Sequence, residues 1–319
     1  MRILHLSDTP LAGSPIRISS LLANYGGIES RHIVWRDKLG FRDYGADIAG
    51  NKAEIATLRY LLYEWATHIH YHSRWKRQEI FKAIKDIPPK KPSVIQMHSP
   101  RDSEDFSEEI KSGLPIAVIA QYHVRQWPEH KYLVPNVVDI YHKDYTPDLH
   151  LRDTNIAVTG RPVISYAPSN TTLQGWSDKS YGVVAPVLKR MRLEGKIIYQ
   201  LLSSLPFQKV IAAKNLADIG IDEISTGSYH LSSLEYLALG VCCFANIDDL
   251  TEKAIKDVTG AAELPWIKAG KESFERVLRT IIKDKLWRNL GDDSRTWMEN
   301  HWNPQHLCAH YLRMYEDIS

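Results

Sequence analysis

The sequence predicts an α/β protein made of two Rossmann-like domains, and three observations carry that prediction. Short apolar runs alternate with helix-length segments, the signature of βαβ units and a parallel sheet. The pattern occurs twice along the chain. A polar stretch at 135–161, with Pro147 inside it and Pro162 just beyond, separates the halves, and 319 residues suit two domains. The domains are placed at 1–145 and 146–319.

In the first half, 2–6 reads as a strand, 7–15 as a Gly/Pro/Asp loop, and 16–25 as a helix stopped by Gly26 and Gly27. Further strands are expected at 31–35, 68–72, 93–97, 116–120 and 132–134. In the second half they are expected at 163–167, 196–201, 217–224 and 241–245, with a helix at 231–239 ended by Gly240. Near the end Asn303 can cap a helix and Pro304 suits its first turn. Leu307, Cys308, Tyr311, Leu312 and Tyr315 then form one apolar stripe. The helix 303–319 is expected to bury that stripe by crossing the junction back to the N-terminal domain.

Composition narrows the class. Hydrophobic residues make up 44% and charged residues 24%, an ordinary globular balance. A formal charge of +2 does not by itself argue for nucleic acid or a membrane surface. Three cysteines, two of them adjacent in an apolar run, read as buried thiols rather than a disulfide framework. The opening apolar run is too short for a signal peptide, and no stretch reaches the roughly 18 apolar residues of a membrane helix. A cytoplasmic protein is expected.

In open parallel sheets, ligands sit beyond the carboxyl ends of the strands. The informative residues are therefore 7–13, His72, Ser73, His98, Ser99, Tyr122 and His123 in the first half, and 168–175, Ser203, Ser204 and 226–235 in the second. The segment 217–240 is a strand, a small-residue turn and a helix start. Amides near Ser232 and Ser233, at the positive helix end, form an anion site. Glu235, about one turn in, suits hydroxyl groups. Ser232-x-x-Glu235 is equally a capping box that closes the helix terminus.

That segment resembles the donor-binding motif of retaining GT-B glycosyltransferases of family 4 (glycosyltransferase group 1). Tyr229, Leu231, Glu235 and Gly240-Val241 fit the family pattern. Val134-Pro135-Asn136-Val137-Val138-Asp139 is similar to the family's Val-Pro-Asn-Gly-Val-Asp, and Tyr166-Ala167-Pro168-Ser169 through Gly175 to its Ala-Pro-Ser-x-x-x-x-Lys-Gly. The end from Asn303-Pro304 through Tyr315 looks like the family's closing helix. The resemblance implies a GT-B architecture with a central cleft. It also implies sugar transfer from a UDP- or GDP-linked donor to an acceptor hydroxyl with retention, with no other cofactor. It places Gly13, Ser169, Gly227, Ser228, Tyr229, His230, Leu231, Ser232, Ser233 and Glu235 around the donor, with Glu235 on the ribose and His98 facing the sugar.

Two positions depart from the family. Its first acidic residue, which faces the transferred sugar, falls on Gly227. Its basic residue beside the leaving diphosphate falls on Gln174; Lys179 and Arg17 are the replacement cations. Helix-start amides with Lys179 would supply the charge without metal, and no Asp-x-Asp pair occurs in the sequence. The expected partners are the nucleotide sugar and an acceptor glycan, lipid-linked or other polyanionic acceptor, nucleic acid included. The alternatives are a catalytically weakened sugar-nucleotide-binding protein and a sugar-nucleotide epimerase of the same fold.

Other residues keep two readings. His98 is a cleft residue or a satisfied strand-end histidine. His68, His70 and His72 share one strand face and could bind zinc. Segment 74–91, with Ile80, Phe81, Ile84 and Ile87 inward, is a solvated basic helix face, a peripheral membrane contact or a polyanion contact. Trp75 and Trp127 pack in the core or stack on an acceptor. Asp222 and Glu223 read as structural groups or polar contacts near the base.

Overall fold

The computed structural model describes residues 1–39, 42–75, 78–99, 101, 105–169, 171 and 179–319. It divides into two compact units, Met1–Val137 with Pro304–Ser319, and Val138–Asn303.

In the first unit β1 (Arg2–Ser7) leads into α1 (Ser14–Tyr25) and β2 (Glu29–Val34). A small antiparallel pair, β3 (Lys38–Leu39) and β4 (Arg42–Asp43), precedes β5 (Ile48–Ala49) and α2 (Ile55–Arg59). Then come β6 (His68–His72), α3 (Glu79–Ile84), β7 (Ser93–Met97), α4 (Ser107–Lys111), β8 (Ile116–Ile119) and β9 (Tyr132–Val134). Seven strands form one parallel sheet in the order β5-β2-β1-β6-β7-β8-β9. The chain runs outward from β1 through β2 to β5 and returns to add β6 on the other side. The topological switch point therefore lies between β1 and β6, where α/β sheets hold ligands.

The two faces of this sheet differ chemically. Leu4, Leu6, Ile69, Tyr71, Ile95 and Met97 join a single apolar core. Their neighbours in the two-residue alternation put His5, His32, His68, His70 and His72 on the opposite face, all buried. The C-terminal helix, Pro304–Asp317, lies on that face. The Tyr315 hydroxyl is 2.6 Å from His70 Nδ1, Ser319 Oγ is 2.8 Å from His68 Nε2, and the Tyr311 hydroxyl donates to the Pro135 carbonyl at 2.8 Å. The stripe read from the sequence is the buried face of this helix, with Met314 added and Leu312 only half-buried.

The second unit contains α5 (Leu149–Thr159), β10 (Val163–Tyr166), α6 (Tyr181–Leu193), β11 (Ile198–Leu201), α7 (Phe207–Asn215) and β12 (Ile219–Ile221). It continues with α8 (Leu231–Ala238), β13 (Cys242–Phe244), α9 (Asp249–Thr259), α10 (Phe274–Lys283) and α11 (Trp287–His301). Four parallel strands run β11-β10-β12-β13, so the switch point falls between β10 and β12. Buried Arg152 on α5 ties the unit together. It donates to the carbonyls of Asn215, Leu239 and Gly240, where α7 and α8 end and their unsatisfied acceptors collect.

Two expected boundaries differ from the structure, and one open alternative is decided. The strand expected at 217–224 is only the three residues of β12, because Asp218 turns its Oδ2 onto the Val163 amide at 2.7 Å and Asp222 opens the following loop. Ile87 is 73% exposed and lies beyond α3, whose left-handed cap at Lys85 ends the inner face at Ile84. Trp127 is buried in the core against Phe106, which leaves no ring face for an acceptor. All three cysteines are buried free thiols. No helix among the described residues is long and apolar enough to cross a membrane.

Candidate functional site

Backbone strain marks both switch points. Among the described residues, eight other than glycine hold a positive φ, and five of them sit there: Leu11, Ala12 and Ser73 in the first unit, Lys179 and Ser180 in the second. Such conformations cost of order 1–3 kcal/mol each and persist where surrounding contacts over-determine them. Gly13 completes the first strained turn at φ 80°, caps α1 and packs against Tyr44.

In the second unit, ion pairs and charge-assisted hydrogen bonds cross the switch point. Lys179 Nζ lies 3.2 Å from Asp222 Oδ1, both buried. Asp222 Oδ2 also accepts the His230 amide at 2.6 Å, and His230 Nδ1 is 3.4 Å from the other oxygen. Burial pushes the Asp222 carboxyl up, but Lys179 and His230 outweigh it and hold the group well below the usual carboxylate range. Beside them Ser180 Oγ donates to Glu223 Oε1 at 2.5 Å, and that oxygen also accepts the amides of Ser225 and Thr226. Asp222 and Glu223, the first two residues past the short strand, thus shape the loop that enters α8.

The α8 start differs from the capping box. His230 is the N-cap residue, so Ser232 stands inside the first turn. Lys214, at the end of α7, donates to Ser232 Oγ at 2.7 Å, to the Ser232 carbonyl at 3.1 Å and to Glu235 Oε2 at 2.6 Å. The Glu235 carboxylate is therefore held by a buried cation and does not reach back to a Ser232 cap. Desolvation lowers the Lys214 pKa, and Glu235 opposes that shift. Ser233 is buried, and its amide and Oγ both turn onto the His230 carbonyl. The amides of Leu231 and Ser232 remain at the helix start with no partner among the described residues.

Other residues expected around the donor differ in burial. Ser228 and Tyr229 are buried, and the Tyr229 ring packs on Trp266 at 5.0 Å. Ser169 is exposed, and Arg17 is half-buried in the first turn of α1. Gln174 lies outside the described residues. Gly227 is the informative position. It has φ 76°, and a Cβ built there would stand 2.5 Å from Asp248 Oδ2. A carboxylate from the N-cap of α9 thus fills the space a side chain at 227 would take, while its Oδ1 accepts the Thr251 amide at 2.9 Å.

In the first unit, neutral imidazoles cross the switch point. His5 Nδ1 is 3.0 Å from His72 Nε2, and His72 Nδ1 is 2.8 Å from His98 Nε2. Burial first, and neighbouring imidazoles second, hold His5, His72 and His98 well below the ordinary histidine pKa. The zinc trio read from strand alternation does not assemble, because the His68 ring turns to Thr67 and Ser319. His5, His70 and His72 do bring ring nitrogens within 4.8 Å of one another. However, the His70 and His72 rings stack at 4.3 Å with 17° between planes, and each already engages neighbours, His70 through Tyr315 and His72 through His5 and His98.

Sequence reasoning missed Lys214, Asp248 and His5. Lys214 belongs to no motif, and Asp248 shows in sequence only as a helix cap. The signal for His5 was available, since the alternation that exposes the His70 face also places His5 on it.

Comparison with solved structures identifies the fold. Anabaena HepE in complex with UDP and glucose matches with a TM-score of 0.65 at 11% identity, over 99% of this chain and 100% of that one. Sucrose-phosphate synthase from Thermosynechococcus elongatus matches with a TM-score of 0.61 at 12% identity, over 100% and 99%. The catalytic domain of starch synthase IV from Arabidopsis thaliana, bound to ADP and acarbose, matches with a TM-score of 0.62 at 9% identity, over 100% and 99%. No protein-family model matches the chain, and no curated protein matches it by sequence. The α/β class with two Rossmann-like units, of the GT-B type, is therefore the fold of this protein.

Proposed function

We propose that this protein is a glycosyltransferase that moves a sugar from a nucleoside-diphosphate sugar to an acceptor hydroxyl, with retention and without a metal. One observation carries the reading: the open amides of Leu231 and Ser232, with the Glu235 carboxylate one turn later, at the carboxyl end of β12 beside the switch point. Helix-start N–H groups suit a diphosphate, and a carboxylate steadied by Lys214 suits the paired hydroxyls of ribose. The full-length likeness to chains solved with UDP and glucose, or with ADP, supports the same ligand class.

The residues divide as follows. The α8 amides and Ser232 hold the diphosphate, and Lys179 is the cation beside it. Asp248 supplies, next to Gly227, the carboxylate that the sequence lacks at that position. His98 offers its outer ring nitrogen to a ligand oxygen. In the transfer, the acceptor oxygen bonds to the anomeric carbon as the carbon–oxygen bond to the diphosphate breaks. The acceptor's proton passes to the departing phosphate oxygen. Preorganised N–H donors stabilise the charge that develops there.

Nucleotide release measured over a panel of UDP-, GDP- and ADP-sugars, with and without acceptor glycans, tests this reading. Turnover with one donor, lost in Glu235→Ala, supports it; unchanged turnover and donor affinity in Glu235→Ala would remove the role given to Glu235. A second reading, a sugar-nucleotide-binding protein with weakened catalysis, is favoured by the Lys179 ammonium being buried against Asp222. Calorimetric donor binding with no turnover on any acceptor decides for that reading.

A further inference from the structure

We infer that His72, backed by His5, fixes the tautomer and ring orientation of His98, so that His98 presents an Nδ1–H donor to an oxygen of the bound ligand. This deepens the reading of His98 given above and assigns His72 and His5 as positioning residues.

A neutral imidazole has one donor and one acceptor nitrogen. Burial keeps all three rings neutral, so the hydrogen bonds His5–His72 and His72–His98 must run in one direction. Two directions exist. If His98 donates inward, the proton on His72 Nε2 points at His5 Nδ1, and His5 must carry its own proton on Nε2. That nitrogen is buried and has no partner among the described residues. If His5 donates outward, the same nitrogen holds only a lone pair. A buried N–H without an acceptor is the rarer and costlier orphan, so the outward direction wins. His5 Nδ1–H donates to His72 Nε2, and His72 Nδ1–H donates to His98 Nε2.

The consequence falls on the outer ring. His98 Nε2 is occupied as an acceptor, so its proton sits on Nδ1, which meets no partner among the described residues. The ring is held at both ends of the residue, because His123 Nε2 lies 3.1 Å from the His98 carbonyl oxygen. His70 stacks on His72 at 4.3 Å and keeps that ring from rotating. A neutral, fixed N–H just past the end of β7 matches a sugar hydroxyl or carbonyl oxygen, and it does not compete for protons with the reacting groups. The other ring nitrogen of a histidine sets its tautomer in this way in many sites.

Long-range proton–nitrogen correlation on protein labelled with 15N-histidine reads the tautomer directly, with His98 assigned by the signals lost in His98→Asn. The wild type is expected to show His98 protonated on Nδ1 near neutral pH. In His72→Phe the proton should return to Nε2, the site a free imidazole prefers in water. His72→Gln keeps an N–H donor and should restore Nδ1–H. Once a donor sugar is identified, kcat/KM should fall about tenfold in His72→Phe, the low end of what losing the outer partner of a metal-bound histidine costs, and recover to within about threefold in His72→Gln. His98 protonated on Nε2 in the wild type overturns the inference, as does a stoichiometric metal in the purified protein with His5 and His72 as its ligands. The wild-type reading needs only the assignment variant His98→Asn and does not require either His72 variant to fold. It also does not depend on activity, so the tautomer assignment fails or stands separately from the glycosyltransferase reading.

Discussion

The two sheets solve the same topological problem with opposite chemistry. In the first unit, neutral imidazoles link β1, β6 and the residue after β7, from buried His5 through buried His72 to half-buried His98. In the second, the gap between β10 and β12 is spanned by a buried ion pair, Lys179 to Asp222, and by Ser180 to Glu223. Left-handed residues stand at both: Leu11, Ala12 and Ser73 just past β1 and β6 in the first, and Lys179 and Ser180 themselves in the second. A neutral bridge presents a single directional donor, whereas a charged bridge sets the local potential around a helix start. The arrangement suits an oxygen of a sugar at the first and an anion at the second.

Acid should separate the two most strongly. Burial lowers the pKa of His32 and of His70 to about 3. Below about 6.5 the unfolded chain takes up protons that the folded chain refuses, so the stability these groups allow is complete above that pH and falls as pH drops towards 3. At pH 4 each of the two removes about 3 kcal/mol, together a large part of a domain's stability. Asp222 has the opposite sign: its depressed pKa contributes stability above the ordinary carboxylate range that is lost only in stronger acid. Hydrogen exchange at pH 4 should therefore show β1, β2 and β6 opening while β10 and β12 stay protected. Equal loss in both sheets would break the comparison.

Smaller effects sharpen it. Lys214→Met leaves the buried Glu235 carboxylate uncompensated and should destabilise the protein by about 3–5 kcal/mol in urea unfolding. Gly227→Ala forces a left-handed alanine whose Cβ meets Asp248 Oδ2, which should cost about 1–3 kcal/mol by the same measurement. Asp248→Asn keeps the helix cap, since asparagine caps as well as aspartate, and should change stability by less than about 1 kcal/mol. Donor turnover should nevertheless fall at least about tenfold, the size of losing one charged contact of about 1.4 kcal/mol. A turnover unchanged in Asp248→Asn would reduce that residue to a cap.

Much of this was legible in the sequence for a physical reason. Strands buried on both faces read as apolar runs, and β6, β7 and β9 fall at the residues expected. The two-residue β5 has too few positions to show a period, and β12 was overdrawn because the apolar run continues into the loop at Ile224. The site was half legible. A strand, a turn and a helix start announce an amide cradle, and Glu235 follows from its spacing. Lys214 arrives from the preceding helix and Asp248 from the following one, contacts that depend on packing and leave no local pattern. The capping-box alternative failed because the helix starts at Leu231 with His230 as its cap, two residues earlier than a Ser232 cap allows.

Calorimetric titration of UDP, GDP and ADP into wild-type protein and into Glu235→Gln tests the central assignment most directly. One nucleotide is expected to bind the wild type and to lose at least about tenfold in affinity, about 1.4 kcal/mol, when the carboxylate becomes an amide. Equal affinity in the two proteins, or no nucleotide binding at all to a folded wild type, would contradict it.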